Sequence, residues 1–451
     1  MHGGRAKASP VARMGAPYQG GHGAGLAVDR RVRTFLHAAV LVVSSLAATP
    51  ALAETSYELP SPLTVDAVVH AASAHRSEIA AASARARAAA QRPRIDSALP
   101  DPMVMASLDH LPFSLMGADF SLAVEQQFPL SSVLSRRKRA AEAGARREAS
   151  DAARVTLDVE LDAVSAYYML LERRRTLDVL DEIEKTSRQL SAVAAVHYAA
   201  AHGTQADALR AESEVLRVAS ESSALTNETR AAEAMLNAAL GRAPGLAIPE
   251  VLPPSLDRPV PPLEAALSIA LANRPELAGM RHERERALAE VDVMRSMYSP
   301  MAVVRAGPSY TMAEGAGVMF MFGVSVPIWR DRLNAGVDEA NAMVQMTNAD
   351  IWAMQNMIRG EVATAREQVE AERTRLRALR ELVRPKTEQS VEASLASYTA
   401  TQTNAVTVIE ALRALWDVRE EEVMAEERLG LAWARLDRAL GELGRPQRRK
   451  P

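Results

Sequence analysis

The 451-residue chain contains no cysteine. That excludes a disulfide framework, a thiolate metal site, a cysteine nucleophile and a lipid-bearing cysteine. Aromatic residues make up only 4% of the chain, which excludes a large aromatic-rich core. The abundance of Ala, Arg and Glu fits long helices packed in bundles instead. A formal net charge of −3 offers no electrostatic footprint for a nucleic-acid partner. Beyond the N-terminal region no run of 18 apolar residues occurs, so a transmembrane helix is not expected, and any entry into a membrane would be by strands. Enzyme signatures are missing as well. His282-Glu283 is not followed by a second histidine at metalloprotease spacing, and no P-loop occurs. The many carboxylates are spread over helix faces, where solvated charge is the default. No cofactor is expected.

The N-terminus is organised for export. Arg30, Arg31 and Arg33 form a basic segment, residues 35–46 are apolar but too short to span a membrane, and Ala51-Leu52-Ala53 is a cleavage signal. Residues 1–53 are therefore read as a Gly-rich extension and signal peptide, with Glu54 starting the mature chain.

The informative stretch is DFSLAVEQQFPL, Asp119 to Leu130, because it has a partner, GVMFMFGVSVPI, Gly317 to Ile328. Both alternate with period two, and both stop at a proline, Pro129 and Pro327, 198 residues apart. Phe120, Leu122 and Val124 share one parity, and Ser121, Glu125 and Gln127 the other. In the second copy Val318, Phe320, Phe322, Val324 and Val326 take the apolar parity. Met319, Met321 and Ser325 take the other. About ten residues with one apolar and one mostly polar face is what a membrane β-barrel strand requires; an ordinary half-buried strand fits a single copy equally well. Each has a partner strand, from Met103 and from Ala302. Because Gly323 stands where the first copy has Glu125, pore charge from this strand pair is expected from one half only.

The rest of the chain repeats too. Residues 54–242 read as helix (Leu63 to Leu99), two strands, a long helix to about Ala201, a turn at His202-Gly203-Thr204, and a helix ending at Gly241. Gly203 is the expected point of reversal. Leu157, Leu161, Val164, Tyr168 and Leu171 carry a coiled-coil rhythm along the long helix. Residues 243–262 form a proline-rich extended linker. Residues 263–444 then repeat the order, with Pro385 inside the long helix and a turn at Thr403-Asn404. Residues 445–451 are a basic tail. A duplication of this size means two copies of one supersecondary unit. The fold class is mainly α with a small membrane β-barrel, carried by long coiled-coil helices in two tandem structural repeats.

In the starts LTVDAVVHAASAHRSEI and PLEAALSIALANRPEL, the strand ends QQFPL and VSVPI, the turn YAAAHGTQADALRAESE and the ends LNAALG and LDRALG, the sequence resembles the TolC family of outer-membrane efflux proteins. The starts and strand ends look most like the heavy-metal, CzcC- and CusC-like branch. The resemblance implies a homotrimer whose four strands per chain close a twelve-stranded barrel in outer-membrane lipid, continued by a helical tunnel in the periplasm. It implies a periplasmic adaptor docking at His202, Gly203, Thr204, Thr403 and Asn404, and an inner-membrane pump, read as proton-driven. Ser121, Glu125, Gln127 and Ser325 would face the lumen, and Pro129 and Pro327 would mark the barrel–tunnel joints. No firm metal site is expected. Met103, Met105, Met319 and Met321 share the lumen parity, and thioethers suit soft ions such as Cu(I), although methionine also fills irregular space. Type I protein secretion and a non-channel periplasmic helical scaffold are the alternative functions.

Overall fold

A computed structural model describes residues 57–109 and 119–443. The signal segment, the 110–118 loop and the C-terminal tail lie outside the described residues.

Repeat 1 comprises α1 (Val65–His75), α2 (Ser77–Ala89), α3 (Arg92–Asp96), β1 (Met103–Asp109), β2 (Asp119–Pro129), α4 (Val133–Ala199) and α5 (Gln205–Ala239). Repeat 2 comprises α6 (Leu263–Asn273), α7 (Pro275–Ser296), β3 (Met301–Thr311), β4 (Gly315–Ser325), α8 (Arg330–Ala378), a π turn (Leu379–Val383), α9 (Arg384–Thr399) and α10 (Ala405–Leu440). At 67 residues, α4 is ~100 Å long at 1.5 Å per residue. Its expected seam is real: Val164, Tyr168 and Leu171 are buried, with Leu157 and Leu161 packed against the same cluster.

The single helix expected over residues 63–99 is three helices. The first break is at Arg76, whose backbone is extended (φ −74°, ψ 127°), and the second repeat breaks identically at Arg274 (φ −64°, ψ 119°). Pro275 enforces the second break by disfavouring helical backbone before it. No such residue follows Arg76, so the break there is set by packing. Each arginine turns from the break onto the end of a distant helix. The Arg76 guanidinium donates to the carbonyls of Ala238 and Ala239 at 3.3 and 3.0 Å, and that of Arg274 to Ala439 at 3.3 Å. These are last-turn carbonyls, and a cation there also opposes the helix dipole. Glu78 and Glu276 brace the arginines through bidentate pairs. Gly241 and Gly441, both left-handed (φ 71° and 72°), let the helix ends approach the breaks. A Cβ at either position would lie 3.1 or 3.0 Å from the carbonyl oxygen of His75 or Asn273.

The long helix of repeat 2 is also not uniform. Pro385 lacks an N–H and would clash with the carbonyl four residues back. The π turn lies just before it, with the Arg384 N–H donating to the Leu379 carbonyl. Widening the helix there makes room for the proline, whose ring would otherwise meet the carbonyl four residues back. The proline-rich segment is extended as expected but firmly pinned. Leu63 bridges Val251, Arg174 donates to the carbonyls of Ile248 and Pro249, and Arg258 stacks on Trp433 at 3.8 Å while bonding Asp437.

Arg274, Glu276 and Arg438 form a nearly closed ionic cluster at the repeat 2 joint, with side chains 2%, 9% and 12% exposed. Burial pushes the Glu276 carboxyl up, but its own backbone N–H, Arg274 and Arg438 outweigh this and hold it below its ordinary value. A depressed carboxyl contributes stability above its unfolded value, and that stability is lost as pH falls through the folded one. Glu276→Gln should therefore lower stability at pH 7 by about 2 kcal/mol, because two buried guanidinium groups each lose one carboxylate, Arg274 keeping Glu361 and Arg438 keeping Asp158. The gap to the unmodified protein should narrow as pH falls below about 4. Denaturant midpoints at both pH values check this.

Candidate functional site

The four strands form one antiparallel sheet in the order β1-β2-β3-β4. The β2–β3 ladder joins the two repeats, from Phe120↔Tyr310 to Pro129↔Met301. Register puts every even-numbered strand residue on one face. That face carries Val104, Leu108, Phe120, Leu122, Val124, Phe128, Val304, Val318, Phe320, Phe322 and Val324, with Gln126 and the Tyr310 hydroxyl as its polar groups. It is also the exposed face: Phe322 is 77% exposed and Val318 67%, whereas Ser121 and Ala123 on the other face are 8% and 3% exposed. A water-soluble sheet buries its apolar face against a core. Here the arrangement is inverted, with greasy residues outward and serines, glycines and charges on the less exposed side, which is buried at β2 and open at the edge strands, where Met103 and Met321 are exposed. The outer edges of β1 and β4 have no strand partner among the described residues.

The polar face is ordered in rungs. Ser107, Ser121 and Ser309 form one. Met103, Glu125, Arg305 and Met321 form another, and within it Arg305 donates to Glu125 Oε2 at 2.5 and 3.1 Å. The charge expected from the first copy is Glu125, with Gly323 at its place in β4. The counter-charge comes from β3, which comparison of β2 with β4 does not test. Gln127 and Ser325 lie on the same face, opposite Val303 and Met301. At Gly307 the strands come too close for a side chain, since a Cβ would sit 2.0 Å from the Leu122 carbonyl oxygen.

The methionines share the polar face but do not converge. Met103 and Met321 are on opposite edges of one rung, as are Met105 and Met319 on rungs with Ala123 and Gly307. Three strand spacings of ~4.8 Å put the edges ~14 Å apart, beyond the reach of one ion. Pro129 does not stop the pairing, because Leu130 still donates to the Pro300 carbonyl at 3.2 Å. Alternation turns position 129 toward the β1 side, where β1 has already ended at Met103 opposite Glu125, so the missing N–H leaves no gap. Pro327 lies two residues past the end of β4 and three residues before α8 begins.

The two helical turns are near copies. His202 N–H donates to the His197 carbonyl at 2.8 Å and Ala201 N–H to Tyr198 at 3.1 Å; Gln402 and Thr401 repeat this on Ser397 and Tyr398 at 2.8 and 2.9 Å. Both are Schellman closures. The left-handed residue is Ala201 or Thr401, each at φ 61°, and not Gly203. Gly203 serves instead to pass His197, whose Cβ would lie 3.1 Å from an added Cβ. Thr204 and Asn404 cap the returning helices, accepting from the N–H groups of Asp207 and Thr407 at 3.1 Å each. His202, Thr204 and Asn404 are exposed, and Gly203 and Thr403 half-buried.

The turns differ in their surroundings. Tyr398 is 3% exposed beside the His197 ring, while its counterpart Tyr198 is 50% exposed. Ile409 is buried at 6% and Trp416 packs on the same cluster, yet their counterparts Leu209 and Leu216 are 54% and 66% exposed. Nothing in the sequence separates these pairs, which share residue class and helical spacing.

Two findings bear on identity. The profile of the outer membrane efflux protein family matches residues 266–442, most of repeat 2. No curated protein matches the chain. Among solved structures, the outer-membrane channel OprN is 17% identical, with a TM-score of 0.72 over 85% of this chain and 91% of that one. The outer membrane protein VceC of Vibrio cholerae is 16% identical, with a TM-score of 0.71 over 84% and 96%. CusC is 16% identical, with a TM-score of 0.73 over 84% and 92%. The fold is that of the outer-membrane efflux channels.

A Cβ-bearing residue in the left-handed region costs roughly 1–2 kcal/mol, partly offset by the greater unfolded freedom of glycine. Ala201→Gly and Thr401→Gly should each stabilise the protein by about 0.5–1 kcal/mol, read as a shift of the denaturant midpoint. An unchanged or lowered midpoint would show that the turns are not held at positive φ.

Proposed function

We propose that the chain is the outer-membrane channel subunit of a tripartite efflux system. It is a passive conduit, not an enzyme, carrying metal ions or small toxic compounds from a periplasmic adaptor and inner-membrane pump to the exterior. The observation that carries this reading is the inverted sheet. Its exposed apolar face suits lipid, its sheltered polar face suits a water-filled lumen, and its open edges require further strands. Three copies supply twelve strands. The seam left open at Leu209 and Leu216 supports the same assembly: the equivalent α10 positions pack on α4 of their own chain, so α5 is matched to a helix of the next chain. The exposed turns, residues 201–204 and 401–404, then form the periplasmic end where an adaptor docks, and Pro129 and Pro327 mark the passage from barrel to tunnel. The heavy-metal branch is our reading of the repeated starts and X-Pro strand ends. The four strand methionines would act in it at most as separate, weak thioether contacts.

The decisive test is assembly and conduction. The purified protein should come from the outer-membrane fraction as a heat-resistant trimer and open stable ion channels in a planar bilayer. A soluble periplasmic monomer would refute the reading. Leu209→Asp with Leu216→Asp should abolish the trimer while leaving the helical content of the chain, measured by circular dichroism, unchanged. In the conducting trimer Glu125→Gln leaves Arg305 without its carboxylate on each chain. Permeability should move toward anions, measured as a shift in reversal potential under a salt gradient.

A further inference from the structure

The helices that carry the sheet pack side by side in the order α2–α4–α7–α8, the order of the strands they join. The centre helices α4 and α7 have a neighbour on both sides, and α2 and the start of α8 are the edges. On α8 the buried side holds Leu333, Ala340 and Thr347, and beside them a Cβ on Gly336 would lie 3.5 Å from the Met294 sulfur of α7. The far side, with Ala342, Ala349 and Ala353, is exposed. On α2 only Ala82 is buried, and Ala81, Ala84 and Ala88 are exposed. Both edges also carry charge. Arg85, Arg87, Arg92 and Arg94 of α2 and α3, and Asp338, Glu339 and Asp350 of α8, are exposed and form no ion pair among the described residues. Arg92 borders the joint groove together with Asp96 and Glu148 but pairs with neither.

The chain already contains the contact that these edges can make. At the centre of the layer the exit helix of repeat 1, α4, lies against the entry helix of repeat 2, α7. Arg146 pairs with Glu285 at 2.8 Å and Arg147 with Glu283 at 3.3 Å, and a Cβ on Gly279 would lie 3.5 Å from the Cβ of Ser150. The corresponding pair across the open edges is the exit helix of repeat 2, α8, with the entry helix of repeat 1, α2. Within one chain α4 and α7 stand between them, so they meet only where a second copy continues the layer. Carried over by the 198-residue offset, the α4–α7 register sets Ala81 within a residue of Ala349, Ala88 level with Ala342, and Arg92 and Arg94 beside Asp338 and Glu339. The charges, however, are exchanged. Arg85 and Arg87 stand where α7 has Glu283 and Glu285. Residues 136–147 of α4 hold six cations and one carboxylate, and the equivalent residues 334–345 of α8 hold two carboxylates and no cation. Like charges facing each other across an interface cost affinity, so the pattern admits α2 against α8 and disfavours α2 against α4 or α7 against α8 of another copy.

We propose that the α8 edge of one chain docks on the α2–α3 edge of a second copy, in the register of the α4–α7 contact, and that the exchanged charges select this pairing, with Arg92 and Arg94 against Asp338 and Glu339. The proposal rests on the channel reading and adds to it the helices and the charges that close the ring. The contact is heterologous, α8 against α2 and never α8 against α8, as a ring of more than two identical copies requires.

Because the chain has no cysteine, a disulfide reports the contact without background. The 3.5 Å between Cβ positions at Gly279 and Ser150 is close to the ~3.8 Å of a disulfide, so the equivalent positions of two chains are within bonding reach. After mild oxidation of the outer-membrane fraction, the double variant A81C/A349C should run as cross-linked trimer on a non-reducing gel. Chains carrying A81C co-expressed with chains carrying A349C should give cross-linked dimer, and neither single variant alone should cross-link. An intact trimer of the double variant without a cross-link, or a cross-link in a single variant alone, would overturn the docking. The charge selection is read from trimer dissociation on dilution in detergent. R92E/R94E and D338R/E339R should each weaken the trimer at least about tenfold, and the four changes combined should restore it, which damage to the fold would not do. Unchanged trimers in both parents, or a combined variant no better than either, would overturn the selection. Should a reversal variant fail to fold by circular dichroism, R92Q/R94Q must still weaken the trimer about fivefold. An unmodified protein that stays monomeric refutes the channel reading, whereas a trimer that the disulfide does not bridge refutes only this contact.

Discussion

A β-sheet that exposes its apolar face and leaves both edges unpaired cannot be an end state in water. Each edge presents a row of unsatisfied N–H and C=O groups, and the outward phenylalanines and valines of β4 have nothing to pack on within the chain. Lipid suits the face and further strands suit the edges, but lipid alone makes the open edges costlier, because no water is there to bond them. The same constraint accounts for the sheltered face. Residues that would be poor choices for a soluble core, such as the serine rung and the Glu125–Arg305 pair, become ordinary once that face is wet.

Both strand pairs hang from helices that must be held in place, and the repeated arginine joint does this. Arg76 and Arg274 stand where a helix is broken, and each uses its planar fork to take a carboxylate and helix-end carbonyls at once. A lysine would supply the charge without the fork. The second copy is the more deeply buried and recruits Glu361 and Arg438, the latter reaching Asp158 of repeat 1. The duplicated unit has therefore not diverged at random. The joints and turns kept their geometry, while α9 acquired a π turn and the two hairpins came to bury different amounts of their apolar seams.

Periodicity carried most of the fold. The strand faces followed from alternation alone, because a period of two leaves no choice once one residue is placed. The long helices followed from proline-free, seam-bearing segments. What stayed hidden depends on neighbours distant in sequence. The break at Arg76 has no glycine or proline to announce it. The left-handed Ala201 carries a Cβ, so local preference pointed to Gly203 instead. Arg305 reads as an unremarkable strand residue until register sets it against Glu125. The contrast between Leu209 and Ile409 arises only from which helix lies alongside.

Charge is distributed along the barrel reading in a consistent way. On the rung where the sheet carries full charges they cancel, because Glu125 and Arg305 bond each other across one strand spacing. Beside the joint, Arg137, Lys138 and Arg139 of α4 and Arg330 and Arg332 of α8 are exposed, and carboxylates of Asp96, Asp101 and Glu290 line the same groove as Arg137 and Arg332. A conduit that must pass varied cargo gains nothing from a strong fixed charge in its lumen, which would trap counter-charged solutes. A rung neutral as a pair is thus the pattern expected if the sheet is a passage, and it is set four residues before Pro129.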